Sequence, residues 1–155
     1  MKQKPFANLA PAALAFSASL LVAALSGNAV YAATPITIKA GNTLITATQD
    51  DSTTSRDFVK SLPLTIGMKR WGDREYYGKL REPLSDQGRK QSGFANGDVA
   101  YWVPGGSFAI FFDDKVNPDI SNLIVFGKIS SDLKVFDAMD ESLDMRIDLA
   151  TELAK

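Results

Sequence analysis

The side chains with the clearest chemical potential are cationic and aromatic ones that are neighbours in the sequence. Arg70 precedes Trp71, and Tyr101 precedes Trp102. A guanidinium can bind an anion or a carbonyl oxygen, and an indole beside it offers a flat apolar surface. Adjacent residues of a strand point to opposite faces, so one of Tyr101 and Trp102 should point outward and could stack on a ligand. The alternative is structural: packing in the interior for these aromatic residues, and a solvated position for Arg70.

An apolar segment, residues 107–112, supplies two more aromatic candidates. Its even-numbered residues fall on one face of a predicted strand, whereas Ala109 and Phe111 fall on the other. Both faces are apolar, which predicts a strand buried between the interior and a covering helix. Either Phe111 or Phe112 could line a pocket. Six residues therefore form the candidate binding groove: Arg70, Trp71, Tyr101, Trp102, Phe111 and Phe112.

The charged residues favour structural roles over chemistry. One loop is rich in oxygen ligands: Asp113, Asp114, Asn117 and Asp119. Calcium needs about six to eight oxygens at set positions, and Lys115 and Pro118 interrupt that pattern, so we expect a solvated turn and no metal site. Asp98 could act as a general base, but a carboxylate at a strand start commonly binds turn amides. Four other residues alternate in sign and predict an exposed strand edge that resists pairing: Glu75, Lys79, Arg81 and Glu82.

The composition excludes several common classes of enzyme. The chain of 155 residues contains no histidine and no cysteine. Nucleophiles activated by histidine, zinc sites built from Cys and His, haem attachment and disulfides are therefore all excluded. The formal net charge is −1, so no basic excess favours nucleic acid. We assign no catalytic residue and expect no cofactor.

The N-terminus is typical of a secretory signal peptide. Lys2 and Lys4 precede an uncharged apolar run, and a polar break follows it. We expect cleavage after Ala32, which leaves a single domain over residues 33–155. The alternative is an uncleaved membrane anchor, although the apolar run is short for that role. The cleaved protein would be periplasmic or secreted, with no membrane attachment.

Alternating apolar patterns between turn residues predict a mainly β protein. Eight strands are predicted: 34–39, 43–49, 64–71, 75–80, 98–103, 107–112, 123–129 and 143–149. One short helix should end near Leu62 because Pro63 follows, and another should span residues 133–139. The longest irregular stretch, residues 81–97, is polar and rich in glycine. Many short strands with so few helices favour a barrel or a sandwich.

Several segments, in this order and spacing, resemble cyclophilins. Residues 43–62 resemble the opening strand and first helix of those proteins, and residues 125–129 read VFGKI, which is similar to their Val-Phe-Gly-x-Val strand. The middle of the chain is closer to a bacterial set of cyclophilin-like domains. Three motifs carry this likeness: RWGD at 70–73, GDVAYWVPG at 97–105 and AIFF at 109–112. The resemblance implies a closed eight-stranded β-barrel capped by two short α-helices.

The departures from the cyclophilin pattern concern the catalytic segments. Prolyl isomerases of that family use a Phe-His-Arg segment and a Gln-Gly-Gly-Asp segment, and neither occurs here. We therefore expect a non-catalytic module that binds a peptide or small molecule. One alternative is a divergent prolyl isomerase that uses Arg70 with Gln87 or Gln91. Isomerisation needs no nucleophile, only a desolvated pocket and a hydrogen-bond donor. The other alternative is an accessory subunit of a periplasmic assembly.

Overall fold

The computed structural model describes residues 33–115 and 119–150. The predicted signal peptide lies outside these residues, as does the end of the chain from residue 151. Within the described residues the chain forms eight strands: β1 (Thr34–Ala40), β2 (Thr43–Gln49), β3 (Leu64–Trp71), β4 (Glu75–Lys79), β5 (Asp98–Trp102), β6 (Ser107–Phe111), β7 (Leu123–Ile129) and β8 (Ser142–Leu149). One α-helix, α1 (Thr53–Lys60), follows β2.

The strands form a closed antiparallel barrel. Their order around the barrel is β1-β2-β7-β5-β6-β4-β3-β8, and β8 pairs with β1 to complete the circle. Closure gives most main-chain groups a partner strand and removes the exposed edges of an open sheet. The prediction of a closed eight-stranded barrel is confirmed.

Aromatic side chains fill the barrel at both ends of β6. Phe58 of α1 stacks on Phe108 with ring centroids 5.0 Å apart. At the other end of the strand, Phe136 stacks on Phe112 at 5.3 Å. Both helical segments are thus held to the barrel by a buried phenylalanine, since Phe58 and Phe136 are each fully buried. Burial of such a ring stabilises the fold by about 1.5–3 kcal/mol.

The two predicted helices differ in type. Ser52 caps α1, where its hydroxyl accepts a hydrogen bond of 3.2 Å from the Ser55 N–H. The segment predicted as the second helix is a 3₁₀-helix, Leu133–Ala138, and not an α-helix. The segment between its cap at Asp132 and the start of β8 is short, and short connecting segments commonly form the tighter 3₁₀-helix. No helix among the described residues combines the length and the apolar character needed to cross a bilayer.

Strand β6 is buried on both faces, as its sequence predicts. Phe108 and Ile110 face the barrel interior, whereas Ala109 and Phe111 belong to a separate apolar cluster outside the barrel wall. The covering element is a loop and not the expected helix: Phe94, from the irregular segment between β4 and β5, stacks on Phe111 at 4.1 Å. Main-chain hydrogen bonds between Gln91 and Leu123 and from the Gly93 N–H to the Ile120 carbonyl also hold this loop against the sheet.

Candidate functional site

A cavity of about 300 Å³ opens on the outer face of the barrel, beside the apolar cluster that covers β6. Its sides are mostly aromatic, formed by Trp71, Tyr77, Trp102 and Phe111. The small side chain of Ala109 leaves the space between them. A cavity of this size with aromatic sides is suited to an apolar group of a small molecule or a peptide.

Strand register explains why these distant residues meet. Trp71 of β3 pairs with Glu75 of β4, which pairs in turn with Phe111 of β6. Tyr77 lies two residues along β4 and pairs with Ala109. Residues two apart on a strand share a face, so two neighbouring rows of side chains point outward at the same place.

The two tryptophans are held differently. The indole of Trp102 packs directly on Gly105, where a Cβ atom would collide with the ring. Trp71 is 59% exposed at the mouth of the cavity and meets Tyr77 edge to face, with centroids 6.3 Å apart. Trp102 is therefore a fixed side of the cavity, and Trp71 is a rim residue that a ligand would cover.

The base of the cavity contains a buried ion pair. Arg74 and Glu75 are 8% and 5% exposed, and the Arg74 Nε donates to the Glu75 carboxylate at 2.8 Å. The Arg74 guanidinium also lies 6.0 Å from the Trp71 ring centroid and 5.8 Å from that of Phe94. Burial raises the pKa of Glu75, although the hydrogen bond and the charge of Arg74 oppose this effect. The pair presents a nearly neutral polar patch within an apolar site.

Arg70 lies away from this cavity. Its guanidinium donates to the Phe136 carbonyl at 2.6 Å and to the Gly72 carbonyl at 2.8 Å, and it is paired with Asp73 at 3.2 Å. It also lies over the Phe112 ring, 4.8 Å from the centroid. These contacts fix the 3₁₀-helix to the end of the barrel, so the side chain is largely shielded from solvent and does not line the cavity.

The six residues of the predicted groove divide into two sets. Trp71, Trp102 and Phe111 line the cavity. Tyr101 and Phe112 belong to the barrel core, and Arg70 lies over the Phe112 ring at the end of that core. Each of the three adjacent pairs therefore sends one side chain inward and one outward.

Two acidic residues that the sequence singles out, Asp98 and Asp113, have structural partners. Asp98 accepts from the Ala95 N–H at 2.7 Å and from the Lys128 ammonium at 2.8 Å, which confirms that it binds a turn amide. Asp113 accepts from the Lys115 N–H at 2.9 Å. Asn117, from the same oxygen-rich loop, lies outside the described residues. In residues 33–115 and 119–150 no group of acidic side chains is arranged to hold a metal ion.

Sequence reasoning missed Arg74, Glu75 and Tyr77. Glu75 is predicted to lie on an exposed edge because its charge alternates in sign with later residues, and this is wrong, since Glu75 is buried. The available signal was its neighbour: Arg74, in the turn just before β4, can neutralise a carboxylate on the first residue of that strand. Tyr77 lies two residues after Glu75 on β4, so both side chains lie on the outer face of the strand. Tyr77 could therefore have been predicted to lie in the same site as Glu75.

Comparison with known proteins identifies the family. The profile of the cyclophilin-like family matches residues 38–148, and the chain belongs to this family. The solution structure of a hypothetical protein from Archaeoglobus fulgidus is similar, with a TM-score of 0.62 and 20% sequence identity over 76% of this chain and 95% of that one. At that identity the likeness concerns the fold alone. No curated protein matches the sequence.

Proposed function

We propose that this protein is a non-catalytic binding module that takes an apolar group of a peptide or small molecule into the outer cavity. The observation that carries the proposal is the cavity itself, in which four aromatic side chains surround about 300 Å³ of space. Covering the exposed Trp71 would remove apolar surface from water, which favours binding. The signal peptide predicted for residues 1–32 would place the protein in the periplasm or outside the cell.

The chemistry of the cavity favours an uncharged ligand group. Arg74 and Glu75 neutralise each other, so a charged group would lose its hydration without gaining a counter-ion. An apolar side chain would gain about 1.5–3 kcal/mol from burial. That gain corresponds to about tenfold to 100-fold in affinity over a ligand that lacks the apolar group.

The two tryptophans provide a direct test. The chain contains only two, and Trp71 and Trp102 both line the cavity. Blocked peptides of the form acetyl-Ala-Xaa-Ala-amide, with Xaa as Leu, Phe, Pro or Lys, would be titrated while tryptophan emission is recorded. We expect a saturable change with at least one of the apolar peptides and a weaker or absent change with the Lys peptide.

Two variants locate the binding. Trp71→Ala should weaken the response while leaving Trp102 as a reporter. Leu44→Ala removes an equally exposed apolar side chain outside the cavity and should change nothing. The absence of any saturable signal with the apolar peptides, or equal affinity for the Lys peptide, would contradict the proposal.

The other two hypotheses stay predictions. The prolyl isomerase hypothesis depends on Arg70, but the contacts of that side chain are with the barrel end and the 3₁₀-helix, so its position does not support the hypothesis. A protease-coupled isomerase assay on residues 33–155, with Arg70→Ala beside it, tests this directly. The accessory-subunit hypothesis needs a partner that covers a large apolar surface.

A further inference from the structure

The base of the aromatic cavity holds a carboxylate oxygen without a hydrogen-bond partner. The Glu75 Oε2 accepts from the Arg74 Nε at 2.8 Å, and in the described part of the chain no donor reaches Oε1. Glu75 is 5% exposed, and its side chain lines the cavity. An acceptor this deeply buried needs a donor once a ligand displaces water from the site, because an unpaired polar group in apolar surroundings is costly.

The other buried polar side chains of the cavity have partners. Arg74 donates to Glu75, and the Ser107 Oγ donates to the Gly105 carbonyl at 3.2 Å. A guanidinium carries donors only, so the carboxylate oxygen that faces it must accept, and the ionised group offers its second oxygen as an acceptor too. The buried polar atom that a ligand has to satisfy at neutral pH is therefore the Glu75 Oε1.

Strand register places Glu75 between two aromatic sides of the cavity. It pairs with Trp71 of β3 on one side and with Phe111 of β6 on the other. Side chains at directly paired positions on one face of a sheet have Cβ atoms about 4.5–5.5 Å apart. A flat group held between the rings of Trp71 and Phe111 would therefore bring its edge to the Glu75 carboxylate.

The sides of the cavity favour an aromatic ring as that flat group. Aromatic rings associate in offset-stacked or edge-to-face arrangements, as Trp71 and Tyr77 already do. The volume of about 300 Å³ is at the lower end of the range for ligand pockets, about 300–1,000 Å³, which suits one ring system. Because Arg74 and Glu75 neutralise each other, the donor on that ring should be uncharged.

We propose that the cavity selects an aromatic ring with a neutral hydrogen-bond donor at its edge, an indole or a phenol, and that the Glu75 Oε1 accepts from this donor. Trp71 and Phe111 would enclose the ring. This inference rests on the function proposed above, since it names the ligand class of the same cavity, and it adds a requirement for a donor that a purely apolar group does not meet.

Indole and benzofuran form a matched pair of probes, because an ether oxygen in benzofuran replaces the N–H of indole. Both would be titrated by calorimetry at neutral pH into residues 33–155, which contain every described strand. We expect at least tenfold higher affinity for indole, since benzofuran would set a second acceptor against the Oε1. Equal affinities would overturn this inference and leave the proposed function standing, whereas no saturable heat with either probe would overturn both.

Blocked peptides test the same chemistry on a side chain. Acetyl-Ala-Tyr-Ala-amide and acetyl-Ala-Phe-Ala-amide differ by one hydroxyl, and acetyl-Ala-Trp-Ala-amide carries the indole. We expect the Tyr or the Trp peptide to bind at least tenfold more tightly than the Phe peptide. Tighter binding of the Trp peptide than of free indole would identify a peptide as the source of the ring, and the reverse order would identify a small molecule. A Phe peptide that binds as tightly as the other two would contradict the inference.

The variant Glu75→Gln reverses the polarity of the contact. Since Arg74 supplies only donors, the glutamine oxygen must face it, and the amide nitrogen then takes the place of the Oε1. The variant should bind benzofuran at least as tightly as indole, and retained benzofuran binding would verify that the cavity is intact.

Glu82→Gln is the matched control, because Glu82 is exposed and does not line the cavity. This variant should keep the wild-type preference for indole. An unchanged preference in Glu75→Gln as well would show that another group receives the donor, and the inference would be wrong.

Discussion

At the scale of single residues, the Arg74–Glu75 pair sets the electrostatic character of the cavity. The pair is buried at its base, and burial raises the pKa of Glu75 despite the opposing hydrogen bond from Arg74. A carboxyl group with a raised pKa in the folded state binds its proton more tightly there than in the unfolded chain. Ionisation of Glu75 therefore costs stability in the native protein.

This difference predicts the direction of a pH effect. The folded state binds the Glu75 proton more tightly than the unfolded chain does, and this tighter binding stabilises the fold. The contribution is complete below the unfolded pKa of about 4.3 and is lost as the pH rises through the raised folded pKa. Glu75→Gln removes the titration, so the unfolding free energy of the wild type should fall relative to that of the variant across this window. Urea unfolding of both proteins from pH 3.5 to 7 measures the difference. A constant or opposite difference would show that Glu75 titrates normally or with a lowered pKa.

A second residue-scale prediction concerns the support of Trp102. In Gly105→Ala the new Cβ would collide with the indole, so the ring must move and the cavity loses one side. We expect weaker binding of the apolar peptides, a shifted tryptophan emission and a stability loss of about 1–3 kcal/mol from overpacking.

Gly67→Ala is the matched control for Gly105→Ala. A Cβ there meets only the Asp144 carboxylate at 3.5 Å, an ordinary contact distance. Its emission spectrum and its affinity for the apolar peptides should equal those of the wild type. If Gly105→Ala behaves like this control, Trp102 does not depend on Gly105 for its position.

At the scale of elements, two adjacent residues at the end of β3 have different roles, one in stability and one in the cavity. Arg70 fixes the Leu133–Ala138 helix through the Phe136 carbonyl, whereas Trp71 points outward to the cavity. Arg70→Ala leaves that carbonyl without its charged donor, which should cost about 1.5–3 kcal/mol of stability. Trp71→Ala removes a largely exposed ring and should change stability by no more than about 0.5 kcal/mol.

The two variants should therefore have opposite phenotypes. Chemical unfolding should detect the loss in Arg70→Ala, and the tryptophan titration should show its affinity for the apolar peptides unchanged. Trp71→Ala should retain stability and lose affinity. Reduced affinity in Arg70→Ala with unchanged stability would instead place Arg70 in the binding site.

The alternation of side chains explains how far the sequence could predict this site. The same rule that separates Tyr101 from Trp102 also separates Arg70 from Trp71, so no cavity could be lined by both members of a pair. Applied throughout, it would have removed Arg70 from the groove. The contribution of Phe94 could not be predicted, because its packing on Phe111 depends on the path of an irregular loop and not on any period. Closure of the barrel was implied by the family resemblance, whereas the strand order was not predicted, because it depends on long-range pairing.

At the scale of the whole molecule, the barrel and the N-terminal segment are separate in sequence. Strand β1 begins at Thr34, and the Ala150 N–H donates to the Pro35 carbonyl at 3.0 Å, so the described fold starts and ends beyond the proposed cleavage point. Removal of residues 1–32 would leave every described strand intact. Because the chain contains no cysteine, it needs no oxidising compartment to fold, and a folded barrel by itself does not report where the protein resides.

The start of the mature chain is therefore the informative measurement. When the full chain is expressed in a bacterium with a secretion system, we expect periplasmic protein that begins at Ala33, as read by mass spectrometry of the N-terminal peptide. Signal cleavage requires a small residue before the cut, so Ala32→Arg should block processing and leave the barrel unchanged. Accumulation of the unprocessed wild type in the membrane fraction would favour the anchor alternative. Unprocessed wild type in the cytoplasm would contradict export, and the search for peptide partners would then move to that compartment.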